Sequence, residues 1–318
     1  MTRTLDSFLQ HVEEKKLTVL YAQVRQGGEI VDFWSRFTYG QDSSLTGFRG
    51  LSRFESYSTA KSFSAIGVGI AIDEKLISLD EKVVTSFPEC AYDVTNPYAL
   101  DITVEDMLKM SSGLAEPMLF RDSPEREKVK DWPRYIYEKG NYAYKPGTRF
   151  LYSNTNTYML GCLVERKYGK NLLEYMRFRL FEPLGIGNPD MTSCPGGHTV
   201  AANGLAINVD EMGRFGELIL GKGVYKGKRI VSEEFIAAAT SAQIHSDVKL
   251  YRSDKDAYFD YGYQFWIDNE NHATCLRGIL GQFCVIIPEK QAVVTILSLE
   301  QNETLLGQIL WEDVVQKL

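Results

Sequence analysis

The sequence predicts an α+β fold: an antiparallel β-sheet flanked by helices, interrupted by an inserted all-helical domain. Three observations predict it. Both ends of the chain carry paired strand patterns joined by short turns, and both also carry helical spacing. Between them, residues 76–224 are mostly helix-like segments separated by loops.

The first segment, MTRTLDSFLQHVEEKK, sets Leu5, Phe8, Leu9 and Val12 on one face of an amphipathic helix. The stretch LTVLYAQVRQGGEIVDFWSRF then reads as two strands around Gly27-Gly28, a pair suited to a hairpin turn. Near the other end, FCVIIPEKQAVVTILSL gives two more strands with a turn at Pro288 to Gln291. Leu306, Ile309, Leu310 and Val314 close the chain at helical spacing. The helix-like segments between are ITVEDMLKM, NTYMLGCLVERKYG, LLEYMRFRLF and DEMGRFGELILG, with long polar connectors at 121–149 and 240–262. The expected organisation is a discontinuous sheet domain (1–75 and 225–318), a helical domain (76–224), and a site in the cleft between them.

Composition narrows the function. Lys and Arg total 35 against 42 Asp and Glu, a net charge of −7 in 318 residues. Nucleic acid and anionic membrane surfaces are therefore unfavoured as partners. The N-terminal segment lacks the unbroken apolar run of a signal peptide, and a cytoplasmic location is expected. Cys90, Cys162, Cys194, Cys275 and Cys284 are odd in number and scattered, which fits reduced core thiols better than disulfides or a zinc site. The sequence contains no G-x-S-x-G, H-E-x-x-H, Walker loop or G-x-G-x-x-G. Of the histidines, His11 falls on the surface side of the first helix, and His198, His245 and His272 fall in polar loops. Nothing in the sequence assembles a Ser-His-Asp triad.

The candidate chemistry lies in ESYSTAKSFSAIGVGIAI, residues 55–72. Ser58 and Lys61 are three residues apart, hence on one face of a helix that begins near Ser58. Phe63, Ile66, Val68, Ile70 and Ala71 mark that helix as buried. Desolvation there disfavours the ammonium form, and a neutral lysine can take the proton of a serine hydroxyl. The plainer reading is a capping serine and a lysine that snorkels to water. A second Ser-x-x-Lys, Ser246 to Lys249, sits in a charged loop that leads no helix. Further on, Tyr152-Ser153-Asn154 is the only Tyr-x-Asn among 18 tyrosines. Its Asn154/Thr155 region can cap the helix carrying Tyr158, Leu160 and Val164. The tyrosine could pass a proton to a leaving group and the asparagine hold a carbonyl; alone, a packed tyrosine and a capping asparagine explain the motif as well.

Taken together, Ser58-Thr-Ala-Lys61 and Tyr152-Ser-Asn154 resemble, in order and spacing, the first two motifs of the serine β-lactamase and penicillin-binding-protein superfamily. The resemblance runs from about residue 50 to 300 and is closest to the branch of class C β-lactamases and esterases. ITVEDMLKMSSGL, YKPGTRFLYSN, LDEKV and GRFGELILGKGVYKGKRIVS support it. It implies the β-lactamase/transpeptidase-like fold, with Ser58 as nucleophile, Lys61 as general base and Tyr152 as proton shuttle in an acyl-enzyme mechanism. Asn154 would orient the acyl group, and neither a metal nor an organic cofactor is implied. The third motif departs from the family pattern, its best match being Leu276-Arg277-Gly278. Gly278 would allow a close approach of substrate, and the Ile279 N–H could join that of Ser58 in an oxyanion hole. Leu276 removes the family's cation, and Arg277 either replaces it or is a strand residue that points to solvent or forms a structural ion pair.

The expected function is a serine hydrolase acting on a small ester or amide. The alternatives are a D-Ala carboxypeptidase or weak β-lactamase, and a non-catalytic ligand-binding relative. Tyr261, Tyr263 and Trp266 either line an acyl pocket or belong to a strand entering the core, and the core reading is favoured.

Overall fold

The computed structural model describes residues 3–37, 52–120, 123–249 and 258–318. Residues 121 and 122 of the first polar connector, and 250–257 of the second, lie outside the described residues.

Eight strands form one antiparallel sheet: β1 (Val19–Gln26), β2 (Glu29–Ser35), β3 (Ile244–Lys249), β4 (Tyr258–Tyr261), β5 (Trp266–Asp268), β6 (Ala273–Gly278), β7 (Gln282–Ile287) and β8 (Ala292–Ser298). Their order is β2-β1-β8-β7-β6-β5-β4-β3, so the two chain ends meet where β1 pairs with β8, Val24 opposite Val294. The expected hairpins are both present. Gly27 (φ 60°) and Gly28 (φ 87°) both take the left-handed region that a two-residue hairpin turn demands. Residues Pro288–Lys290 form a 3₁₀ turn and Gln291 (φ 47°) closes it, setting Ile287 opposite Ala292.

Every residue of β8 is buried, because helices cover both faces of the sheet. Val294 and Ile296 join Phe8 and Val12 of the Asp6–Glu14 helix, Leu5 just ahead of it, and Leu306 and Leu310 of the Glu303–Leu310 helix. Val293 and Leu297, one residue out of phase, join Met212 and Phe215 of the Val209–Leu220 helix on the other face. This last helix falls inside the 76–224 span, yet it lies on the sheet: a Cβ on its Gly216 would stand 2.4 Å from Val293 Cγ1.

The helix Ala60–Asp73 is the centre of the molecule. All twelve residues from Ala60 to Ala71 are buried, so it is enclosed on all sides rather than amphipathic. Phe63 stacks on Phe215 at 3.7 Å between ring centroids, joining it to the sheet-covering helix. The helix Asn154–Tyr168 packs on its other side and ends at Gly169, whose φ of 84° supplies the left-handed stop.

Two expectations are corrected. The segment with the second Ser-x-x-Lys is strand β3, not a loop; Ser246 is buried and donates its hydroxyl proton to the Phe259 carbonyl of β4. The connectors also hold the short helices Glu125–Lys128 and Trp132–Lys139. All five cysteines are buried and free. Among the described residues, no helix is long and apolar enough to cross a membrane.

Candidate active site

Ser58 sits in the 3₁₀ turn Tyr57–Thr59, which runs directly into the buried helix, as its spacing predicts. Just before it, Ser56 is pinned to Leu205: its N–H and its hydroxyl both donate to the Leu205 carbonyl at 2.9 Å. Tyr57 then takes φ 49°, a left-handed conformation that costs a residue with a Cβ about 1–3 kcal/mol. The anchored, strained turn presents Ser58 half-buried at the edge of a cavity.

Lys61 is 1% exposed. Its Nζ lies 2.7 Å from Asn154 Oδ1, 3.0 Å from the Ala202 carbonyl oxygen and 3.0 Å from Ser58 Oγ. Burial first, and the charge of Arg126 second, push its pKa down to about 7. A neutral amine has two N–H donors and one lone pair. Asn154 Oδ1 and the Ala202 carbonyl are acceptors only, so they take both N–H bonds. The lone pair is left facing Ser58, whose hydroxyl must then donate.

Tyr152 closes the group. Its ring stacks on Trp266 at 5.3 Å between centroids, and Lys61 Nζ stands 4.9 Å from its centre. Burial pushes the phenol up to about 12, partly offset by its hydrogen bonding with Ser58 and by the charge of Arg277. The phenol is therefore a protonated donor at neutral pH. The helix that follows is capped by Ser153, whose Oγ accepts from the Thr155 N–H at 3.1 Å. This corrects the expected Asn154/Thr155 cap: Asn154 opens the helix, which leaves its side chain for Lys61.

Ser58, Tyr152, Arg277, Gly278 and Ile279 all line one cavity of 310 Å³, together with Val248, Trp266 and Glu303. Lys61 and Asn154 lie behind its wall, joined to it through Ser58. Gly278 is required by the protein's own backbone, since a Cβ there would stand 2.4 Å from the Ser56 carbonyl oxygen. This contact presses β6 against the serine turn. Ile279 is exposed, and among the described residues neither its N–H nor that of Ser58 donates to another backbone group. Arg277 Nη2 lies 3.0 Å from Glu303 Oε2, an ion pair formed at the cavity wall. Leu276 is sealed in the core. Tyr261 and Tyr263 follow the core reading, whereas Trp266 is both buried and part of the cavity wall.

Sequence reasoning missed Glu303, Val248 and the Ala202 carbonyl. Asn302 ahead of Glu303 is a readable helix cap, but nothing local ties Glu303 to Arg277, and a backbone carbonyl leaves no trace in a sequence.

Among the described residues, one cluster offers three metal-ligating atoms: Cys162, Glu165 and His198. Glu165 is already engaged, accepting from Leu172 N–H at 3.0 Å and Thr199 N–H at 2.9 Å, with His198 Nδ1 at 2.6 Å from its other oxygen. These bonds tie residues 198–199, and so the strand-free segment ending at Ala202, to the Asn154–Tyr168 helix.

Comparison with known proteins gives the family and the fold. The family model described as Beta-lactamase matches residues 5–314. Lovastatin esterase of Penicillium rubens is 27% identical over 189 residues, which are 52% of this chain and 46% of that protein. The matched stretch thus spans less than half of that relative's length. Among solved structures, EstCE1, a hydrolase with promiscuous acyltransferase activity, superposes with a TM-score of 0.76 at 14% identity, covering 99% of this chain and 97% of the other. A family VIII carboxylesterase gives 0.73 at 18% identity, covering 99% and 97%. At these identities the structural likeness shows the fold.

Proposed function

The chain belongs to the beta-lactamase family, and we propose that it is a serine hydrolase that cleaves a small ester or amide through an acyl-enzyme on Ser58. The observation that carries this reading is the environment of Lys61. Two obligate acceptors hold its N–H bonds and aim its lone pair at Ser58, and burial brings its pKa down to about 7, so that a large share of the amine is neutral near pH 7.

The Ser58 proton passes to Lys61 Nζ as Oγ bonds to the substrate carbonyl carbon. The carbonyl oxygen, now an anion, is met by the N–H groups of Ser58 and Ile279. As the tetrahedral intermediate collapses, the Tyr152 phenol gives its proton to the departing oxygen or nitrogen and takes one back from the Lys61 ammonium. The bond to the leaving group breaks, and the acyl group stays on Ser58. Water then attacks the acyl carbon, its proton returning along the same groups to Ser58 Oγ as the C–Oγ bond breaks and the carboxylic acid leaves. Asn154 keeps Lys61 oriented throughout.

A carboxypeptidase or β-lactamase needs a cation for its substrate's carboxylate. Leu276 in the core and Arg277 paired with Glu303 support the ester or amide reading over that one. Intact-mass analysis with a fluorophosphonate, short-chain aryl esters and benzylpenicillin tests it. The expected result is turnover of aryl esters and a fluorophosphonate adduct on Ser58, both lost in Ser58→Ala. A stable penicillin adduct would favour the carboxypeptidase, and no modification by any probe would make the chain a binding protein.

A further inference from the structure

Arg277 and Glu303 come from separate elements, the end of β6 and the first turn of the Glu303–Leu310 helix. Both line the cavity that Ser58 opens into, and both are about four-fifths withdrawn from solvent, at 22% and 20% exposure. Glu303 Oε1 also accepts from the Leu280 N–H at 2.7 Å, which fixes its carboxylate at the cavity wall. The rest of the wall near the nucleophile is Tyr152, Val248, Trp266 and Ile279, mostly apolar surface.

The charges in this cavity sum to zero. An anionic substrate entering it gives up water, meets Arg277 already engaged by Glu303, and lies beside a fixed negative charge. An uncharged acyl compound meets apolar walls and incurs none of this. We propose that Glu303 is a specificity-determining residue, which neutralises Arg277 and presents its own carboxylate so that the site excludes substrates with a carboxylate near the scissile bond and selects uncharged esters or amides bearing a small apolar group. The inference rests on the Ser58 hydrolase reading.

The test uses two pairs, each a neutral ester and a carboxylate-bearing counterpart. One places the carboxylate on the acyl side: p-nitrophenyl valerate against p-nitrophenyl hydrogen glutarate. The other places it on the alcohol side: butyrate esters of 3-nitrophenol and 3-hydroxybenzoate. Like-charge juxtaposition predicts that the wild type favours the neutral member of at least one pair by about 100-fold in kcat/KM. Glu303→Gln should narrow that ratio about ten-fold or more by removing the repulsion and releasing Arg277. Arg277→Leu, which strands Glu303, should widen it, so either variant alone is decisive if the other fails to fold. Neutral esters hydrolysed through Ser58 with ratios that neither variant moves would overturn the charge filter and leave the hydrolase standing. Absence of any Ser58-dependent hydrolysis would overturn the hydrolase, and this inference with it.

Discussion

Asn154 Oδ1 lies 2.7 Å from Lys61 Nζ, and together with the Ala202 carbonyl at 3.0 Å this contact decides which way the lysine lone pair points. It also sets up the first prediction. With Lys61 at about 7, kcat/KM should rise with pH along a limb centred near 7 as the amine loses its proton. Asn154→Asp puts a carboxylate at that distance and favours the ammonium. The limb should move up by about one unit or more, with activity depressed at pH 7 and recovering toward pH 9. A pH–rate profile of the variant that overlays the wild type would refute the assignment of the base.

Tyr152→Phe removes the proton donor but keeps the ring against Trp266. The loss should depend on the leaving group: about 100-fold or more for alkyl esters and amides, much less for p-nitrophenyl esters, whose phenolate leaves without help. Equal losses across a series of leaving-group pKa values would count against a shuttle.

Gly278→Ala should act on the serine turn. A Cβ at 2.4 Å from the Ser56 carbonyl forces β6 and the turn apart, at a cost of about 1–3 kcal/mol in stability. Turnover should fall further than stability does, because Ser58 is two residues from the clash. Denaturant melts beside kcat measurements would show it, and an alanine variant with native activity would mean the turn has slack.

Stability itself should carry the signature of Lys61. Its folded pKa of about 7 lies below the ordinary 10.5. Below pH 7 both states hold the proton, and the folded state bears the full penalty of a buried ammonium. From about 7 to 10.5 the unfolded chain binds more protons than the folded one, so stability rises with pH. Against Lys61→Met, which lacks the group, the wild-type Tm should gain as pH goes from 6 to 9. A constant difference would show that Lys61 does not titrate in this window.

The sequence by itself determined the features built from short-range pattern. The Gly27-Gly28 and Pro288–Gln291 turns, the buried helix after Ser58, and the pairing of Ser58 with Lys61 one turn apart all follow from rules that span a few residues. Tertiary structure decided everything that depends on distant partners. Lys61 meets an amide 93 positions away and a carbonyl 141 positions away. Arg277 finds its counter-ion in Glu303, 26 residues on. Strand β3 reads as a charged loop because, among the described residues, it lies at the sheet edge with β4 alone beside it to set its pattern. Local sequence fixes backbone geometry, but protonation and charge balance depend on what folding brings within about 3 Å, and no local window contains that.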